Sequence, residues 1–175
     1  GDLVLDVHLV ELVNARDSVV GEHEGPGLDA ELPRLRGADD RRREALRGGG
    51  LPGRQDAPHA HWVGFSPDNR FAFVPDLGLD KVVIYRIDPE NAELVFHGYG
   101  DVPPGGGPRH MKFHPNGRII YVLNELALSV TVFDYDKAKG TMVAKQTIPT
   151  VDPNELAKEL FKSASEIRVH PNGKF

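Results

Sequence analysis

The chain has no cysteine among its 175 residues, which excludes disulfide bonds and catalysis by a cysteine thiolate. No apolar run approaches the roughly 20 residues that a membrane-spanning helix requires. The first residues include Asp2 and Asp6, where a secretory signal would carry lysine or arginine. The sequence also lacks an Asn-x-Ser/Thr glycosylation acceptor. The lack of cysteine does not identify the compartment. The other absences predict a cytoplasmic protein with no membrane partner.

Excess positive charge is also missing. The formal net charge is −5, which gives no reason to expect nucleic-acid binding. The basic run Arg41–Arg43 follows two aspartates and precedes Glu44, so it is interpreted as a solvated charge run. There is no Gly-x-Ser-x-Gly elbow, and Gly105–Gly107 lacks the strand-to-helix setting of a phosphate-binding loop. The sequence therefore disfavours a nucleic-acid-binding protein, a serine hydrolase with a nucleophile elbow and a nucleotide-binding protein with a phosphate-binding loop.

The chain does contain a short sequence motif that occurs three times. It reads Phe-Ser-Pro-Asp-Asn-Arg at 65–70, Phe-His-Pro-Asn-Gly-Arg at 113–118 and Val-His-Pro-Asn-Gly-Lys at 169–174. The prolines Pro67, Pro115 and Pro171 are separated by 48 and 56 residues. Each copy predicts a strand end, a tight turn and the start of another strand. Periods of this length are typical of blades, solenoids or arrays.

Two complete units of four strands follow from this repeat. In the first, strands are predicted at 61–65, 70–75, 81–86 and 92–96; in the second, at 111–113, 118–122, 129–133 and 142–148. Four antiparallel strands in a repeat of about 40–50 residues are the plan of a β-propeller blade. The predicted fold class is therefore all-β, a fragment of a propeller with one short inserted helix.

The predicted organisation divides the chain into six parts. Residues 1–27 are assigned to a remnant of an earlier blade, and 28–56 to a loop or disordered insertion with dense charge and a glycine run. Blades are predicted at 57–100 and 101–150, a helical insertion at 151–162 and the start of a truncated blade at 163–175. For the helix, Asp152 serves as the cap, Pro153 takes the first position and Glu155 can reach back.

The candidate site lies at one end of the predicted blades. The first two strands of a blade form a hairpin, so the start of the first and the end of the second meet opposite the tight turn. We call this end the rim. Counted from the turn prolines, His61, Arg109 and Ser165 are equivalent, as are Asp76 and Asn124. A base, an anion clamp and a carboxylate gathered at the rim would suit hydrolysis or cyclisation of an anionic ester.

Each candidate also has a structural interpretation. His61 could be a polar channel residue, and Arg109 could pair with Glu125 or Asp76 and join two blades. His59 and His61, two apart on a strand, could face a metal together, but spacing shows no third ligand, so no metal is predicted. His114 and His170 stand at turn entries and are interpreted as structural. For Glu125 an ion pair between blades remains an alternative to a role in the site. For Glu166 the case is weaker, because its partners in a site could belong to sequence outside this chain.

The rim residues together resemble a known family. They are Pro58-His-Ala-His61, Phe73-Val-Pro-Asp-Leu-Gly-Leu-Asp-Lys-Val82, Gly107-Pro-Arg-His110, Asn124-Glu-Leu126 and Ser165-Glu-Ile167. This set resembles the lactonase family of β-propellers, which includes propeller-type 6-phosphogluconolactonases and carboxy-cis,cis-muconate cyclases. The resemblance runs from Arg54-Gln55 to Phe175 and implies a seven-bladed parent with a polar pocket at one end of its channel.

The resemblance also implies roles for individual residues. It implies that His61, Arg109 and Glu125 are catalytic. Their places at the rim predict that His59, His110, Asn124 and Glu166 bind substrate. The expected reaction is hydrolysis of a sugar lactone, 6-phosphogluconolactone to 6-phosphogluconate, without a cofactor. The expected partner is a small anionic lactone or sugar phosphate, and the oligomeric state stays open. An intramolecular lyase acting on a muconate-like diacid and a non-enzymatic propeller that binds proteins are the alternatives.

Overall fold

The computed structural model describes residues 51–156, 158 and 163–175. This part of the chain forms eight β-strands and one helix of four residues. The strands are β1 (Gly64–Phe65), β2 (Phe71–Asp76), β3 (Lys81–Asp88), β4 (Glu93–Asp101), β5 (Pro108–Phe113), β6 (Ile119–Asn124), β7 (Ser129–Asp136) and β8 (Thr141–Pro149), and the helix is α1 (Pro153–Leu156). The predicted all-β class is confirmed.

The strands form two four-stranded antiparallel sheets with the same plan. The first sheet has the order β1-β2-β3-β4 and the second the order β5-β6-β7-β8, each strand pairing with its neighbours in sequence. The register shifts at equivalent places, between Ile84 and Tyr85 in the first sheet and between Val132 and Phe133 in the second. The 48-residue repeat of the sequence is therefore a repeat of the structure, down to its β-bulges.

The first strand of each sheet departs from regular pairing at the rim. β1 is shorter than the strand predicted over 61–65, although an isolated bridge joins Ala60 to Asp76 and the His61 amide donates to the Pro75 carbonyl at 3.0 Å. In β5 the register shifts between Pro108 and His110. Such a bulge changes the direction of a side chain, and the residue within it is Arg109.

The two sheets share one apolar core. Phe73 on β2 and Phe113 on β5 meet edge to face with ring centroids 5.4 Å apart, and Tyr135 on β7 packs against both. Aromatic pairs of this geometry contribute about 0.5–1.5 kcal/mol each beyond their buried area. The buried members of the core are Phe71, Phe73, Val82, Ile84, Val102, Met111, Ile120, Val122, Phe133, Tyr135 and Met142. This packing fixes the rim of one sheet against the rim of the other.

The tight turns hold themselves together with their own polar side chains. Ser66 Oγ accepts hydrogen bonds from the amides of Arg70 and Phe71. In the second and third copies a histidine does similar work, since Nδ1 of His114 accepts from the Asn116 amide and Nδ1 of His170 from the Asn172 amide. The structural interpretation of these two histidines agrees with the contacts they make.

The helix α1 begins as the sequence predicts. Asp152 Oδ1 accepts a hydrogen bond from the Asn154 amide at 2.8 Å, which is an N-cap contact. Glu155 does not reach back to this cap in the described contacts but pairs with Lys158 at 2.6 Å. No helix in the described part of the chain is long and apolar enough to cross a membrane. The predicted early blade remnant and residues 28–50 of the predicted insertion lie outside the described residues.

Candidate functional site at the rim

Three predicted side chains meet at the rim where the two sheets adjoin. Arg109 Nη1 donates to Glu125 Oε2 at 2.5 Å and lies 3.0 Å from His61 Nε2. The same His61 nitrogen is 3.8 Å from Glu125 Oε2. An imidazole from the first sheet and a guanidinium and a carboxylate from the second therefore form one contact group.

The loop that leads into β5 positions Arg109 and Glu125 together. The Glu125 amide donates to the Gly107 carbonyl at 2.8 Å, which ties the end of β6 to the start of β5. Gly107 has a φ of +63°, and a Cβ there would lie 2.5 Å from Leu126 Cγ. Both facts require glycine at this position, since other residues strain in the left-handed region and would collide. The close approach of the two chain segments brings Arg109 beside Glu125.

Asp80 of the first sheet anchors the same loop. Its Oδ1 accepts from the Gly107 amide at 2.8 Å and its Oδ2 from the Gly105 amide at 2.7 Å. Oδ1 also accepts from Gln55 Nε2 at 2.7 Å, and Gln55 is only 2% exposed. A single carboxylate thus links the turn before the first sheet to the loop that carries Arg109. Asp80 lies within the family pattern Phe73–Val82, but the sequence predicts no role for it.

Glu125 has two further partners that sequence reasoning missed. Arg54 Nη2 donates to Glu125 Oε1 at 2.7 Å, and Ser163 Oγ donates to the same oxygen at 3.2 Å. Residues 51–56, the described end of the predicted insertion, are turns against the first sheet rather than a segment remote from the site. The available signal was that the family resemblance begins at Arg54.

The electrostatics of the group favour an ionised carboxylate and a neutral imidazole. Burial raises the pKa of Glu125, but hydrogen bonds from Arg109 and Arg54 outweigh it and hold that pKa below its usual value. Burial and then the positive charge of Arg109 lower the pKa of His61 from its usual 6.5, although Glu125 opposes them. Near neutral pH, the lowered pKa therefore favours the neutral form of the His61 imidazole.

A second contact lies beside this group. His110 Nδ1 is 3.1 Å from Glu166 Oε1, and Arg109 Nε donates to the Ser165 carbonyl at 3.2 Å. The third copy of the repeat is thereby joined to β5. Burial raises the pKa of Glu166, but the hydrogen bond from His110 and other contacts lower it overall. The structure therefore brings His110 and Glu166 together next to Arg109, as their rim positions predict.

The remaining two predicted binding residues are placed differently. Asn124 is fully buried, and its Nδ2 donates to Ser129 Oγ and Thr131 Oγ1 inside the second sheet. It lies at the rim by its place in β6, but its side chain is fully buried and directed towards β7, so the structure does not present it to a ligand. His59 is exposed, and its amide donates to Asp76 Oδ1 at 2.8 Å.

No group of three or more His, Asp or Glu side chains among the described residues is arranged to hold a metal ion. His59 and His61 do not lie on a regular strand, since β1 begins at Gly64. The alternation of a strand therefore does not govern the relative orientation of these two histidines.

Comparisons with known proteins identify the architecture. Residues 14–175 match a family described as "Lactonase, 7-bladed beta-propeller". The chain is 32% identical over 131 residues to the 6-phosphogluconolactonase of Bacillus subtilis strain 168, covering 75% of this chain and 36% of that protein.

Solved structures agree with this match. The periplasmic gluconolactonase of Pseudomonas aeruginosa superposes with a TM-score of 0.65 at 34% identity, covering 73% of this chain and 35% of that one. A Lactobacillus plantarum protein gives a TM-score of 0.66 at 28% identity, covering 73% and 36% respectively. The chain thus spans about a third of the length of these relatives, and each of its two sheets corresponds to one propeller blade. It belongs to the lactonase family of seven-bladed β-propellers.

Proposed function

We propose that the complete protein carrying this sequence hydrolyses a sugar lactone, with 6-phosphogluconolactone as substrate and 6-phosphogluconate as product. The observation that carries the proposal is the contact group of His61, Arg109 and Glu125 at the rim. The chain belongs to a lactonase family and is similar to a protein named 6-phosphogluconolactonase, and both facts support the choice of reaction and substrate. No cofactor enters the proposed reaction.

Arg109 stabilises the negative charge that forms on the lactone carbonyl oxygen. Water attacks the carbonyl carbon, and the carbonyl oxygen becomes an oxyanion before the ring C–O bond breaks. The guanidinium is held from two sides, by Glu125 Oε2 and by the Ser165 carbonyl. A donor fixed in advance stabilises the oxyanion without a reorganisation cost during the reaction.

His61 acts as the base. Its Nε2 takes a proton from the attacking water and returns it to the ring oxygen as the C–O bond breaks, so the imidazole ends neutral. Arg109 Nη1 lies 3.0 Å from this nitrogen and can donate only, so Nε2 is the acceptor in that contact. When the lactone carbonyl oxygen accepts the hydrogen bond of Arg109 in place of His61, the lone pair on His61 Nε2 becomes free to accept a proton from water.

Glu125 orients the cations and does not supply a proton. It is only 3% exposed, and its lowered pKa keeps it ionised at neutral pH. His59, His110 and Glu166 are proposed to line the path of the substrate near Arg109. The location of the protein stays a prediction, because the Pseudomonas relative is named a periplasmic protein.

The proposal is tested by replacing Arg109 with Ala in the complete protein. We expect kcat for 6-phosphogluconolactone to fall about 10²- to 10³-fold, the usual effect of removing an oxyanion donor. The matched control is Arg118→Ala, which removes an exposed arginine at the tight-turn end. Rates are corrected for spontaneous hydrolysis. Unchanged hydrolysis in the Arg109 variant would refute the assignment, and a parallel assay with a carboxymuconate tests the cyclase alternative.

A further inference from the structure

Arg54 reaches the site from outside both sheets. It lies in a turn in which the amides of Arg54 and Gln55 both donate to the Leu51 carbonyl, at 3.1 and 2.8 Å. The neighbouring Gln55 is buried and donates from Nε2 to the Leu77 carbonyl and to Asp80. The backbone at Arg54 is therefore fixed to the first sheet, and its side chain extends over the rim to Glu125.

The two arginines at Glu125 occupy different positions around the carboxylate. Arg109 contacts Oε2 and continues to His61 and the Ser165 carbonyl, so its donors are directed at the reacting groups. Arg54 contacts the opposite oxygen, Oε1. Its side chain is 42% exposed, against 25% for Arg109 and 4% for Glu125. Arg54 is thus the outer cation of the group.

The charge around Glu125 does not balance. One carboxylate faces two guanidinium groups, and His61 is neutral near pH 7, which leaves one positive charge in excess. The other rim carboxylates have their own partners. Asp76 Oδ1 accepts from the amides of His59, Gly78 and Leu79. Asp80 accepts from Gln55, Gly105 and Gly107, and Glu166 pairs with His110 and Arg168. Among the described residues, Glu125 is the one side-chain acceptor that Arg54 contacts. A guanidinium has five N–H donors, so most of those of Arg54 are left for a ligand.

We propose, on the basis of the proposed function, that Arg54 binds the phosphate group of the lactone and makes the site selective for phosphorylated sugar lactones. The planar fork of a guanidinium matches two oxygens of a phosphate. Glu125 holds the Arg54 guanidinium from one side, and the remaining N–H donors of this half-exposed side chain are open to a ligand at the rim. Arg109 then meets the lactone carbonyl and Arg54 the distal phosphate of the same molecule.

The test compares two substrates that differ in the phosphate. In the complete protein, Arg54→Gln is expected to lower kcat/KM for 6-phosphogluconolactone about 10- to 100-fold, as for the loss of a charge-assisted contact. The value for unphosphorylated gluconolactone is expected to fall by a factor at least about threefold smaller, since that substrate loses only the support that Arg54 gives to Glu125. Arg54→Lys keeps the charge but loses the fork, so its effect on the phosphorylated substrate should be intermediate. Arg118→Gln is the control for loss of an exposed arginine.

A binding measurement separates this inference from the proposed function. Calorimetry with 6-phosphogluconate and with gluconate needs no turnover, and only the phosphorylated acid should bind about 10-fold or more weakly to the Arg54→Gln variant. An equal loss for both ligands, or for both substrates, would show that Arg54 only positions Glu125, and no loss for either would also overturn the inference. Selective phosphate binding in a protein without lactone turnover would refute the proposed function but uphold the role of Arg54.

Discussion

At Glu125 one buried carboxylate accepts hydrogen bonds from two guanidinium groups and a hydroxyl, and every partner comes from a different part of the chain. Arg54 precedes the first sheet, Arg109 lies in β5 and Ser163 follows α1. A buried charge is tolerated when its oxygens are satisfied in this way. The same contacts outweigh burial and lower the pKa of Glu125, which fits its proposed role of holding cations in place and leaves His61 as the proposed titrating group of the site.

The pH dependence of turnover follows from His61. A base must be unprotonated, and both burial and Arg109 lower the pKa of His61 from 6.5. We therefore expect kcat/KM for the lactone to be constant near neutral pH and to fall only as the pH drops through a value below 6.5. The profile is measured from initial rates corrected for spontaneous hydrolysis. As a control, His97→Gln changes an exposed histidine on β4 and should keep the profile.

An acidic limb with its midpoint above 6.5 would contradict this prediction. It would mean that Glu125, which acts to raise the pKa of His61, outweighs burial and Arg109. Titration of the His61 ring by NMR would then show the same raised value. Loss of the acidic limb altogether would remove His61 from the role of base.

For single residues, the sequence predicted which of them lie at the rim better than it predicted which way their side chains point. Counting from the turn prolines places His61, Arg109 and Glu125 at one rim, and they are in contact. The same counting places Asn124 there, but its side-chain amide donates hydrogen bonds to Ser129 and Thr131 of β7 and is buried. Those hydrogen bonds depend on the register of β6 against β7, which the repeat spacing does not give. Arg54 was missed because its charged, glycine-rich surroundings are typical of a loop without a role.

At the scale of the elements, two turns that the repeat makes equivalent carry different residues, and a contact between the sheets explains the difference. Ala92 between β3 and β4 and Gly140 between β7 and β8 are 48 positions apart, and both have positive φ, 50° and 67°. Ala92 is exposed, whereas a Cβ at Gly140 would lie 2.3 Å from the ring of Phe71 in the other sheet. Phe71 is a core residue of β2 and only 4% exposed. The glycine is needed for the contact between sheets as well as for the turn.

This difference gives a paired prediction on stability. Gly140→Ala adds strain of about 1–2 kcal/mol from the left-handed conformation and about 1–3 kcal/mol from crowding against Phe71. We expect a clear fall in the thermal midpoint of the complete protein, measured by circular dichroism. Ala92→Gly changes the same conformation without that contact and should alter stability by less than about 1 kcal/mol. Effects of equal size and opposite sign would show that Phe71 plays no part.

Most of the elements could be predicted because the pattern appears twice. The predicted strands at 81–86 and 129–133 lie within β3 and β7, and the turns fall where proline and glycine stand. The bulge at Arg109 could not be predicted. It depends on Asp80 of the first sheet accepting from Gly105 and Gly107, a contact between blades that no local pattern contains.

At the scale of the whole molecule, the second sheet has a face that its own residues do not cover. A groove of about 270 Å³ lies between this sheet and the third copy of the repeat. Its apolar lining comes from Tyr121, Ile167, Val169 and Phe175, and Phe175 is 84% exposed. In a ring of seven blades the next blade packs against such a face. The chain spans about a third of its relatives, so the neighbours that would complete the ring are not all within it.

We therefore expect the 175-residue chain, expressed alone, to self-associate and to lack lactone turnover. Exposed apolar faces and unpaired strand edges promote association, and a channel site needs walls on every side. Light scattering after gel filtration should give masses above that of a monomer, and a hydrophobic dye should bind more strongly than to the complete protein at equal mass concentration. The complete protein is the control for turnover under the same conditions. A dye-silent monomer that hydrolyses 6-phosphogluconolactone would show that two blades suffice for the site, and the requirement for a closed ring would have to be abandoned.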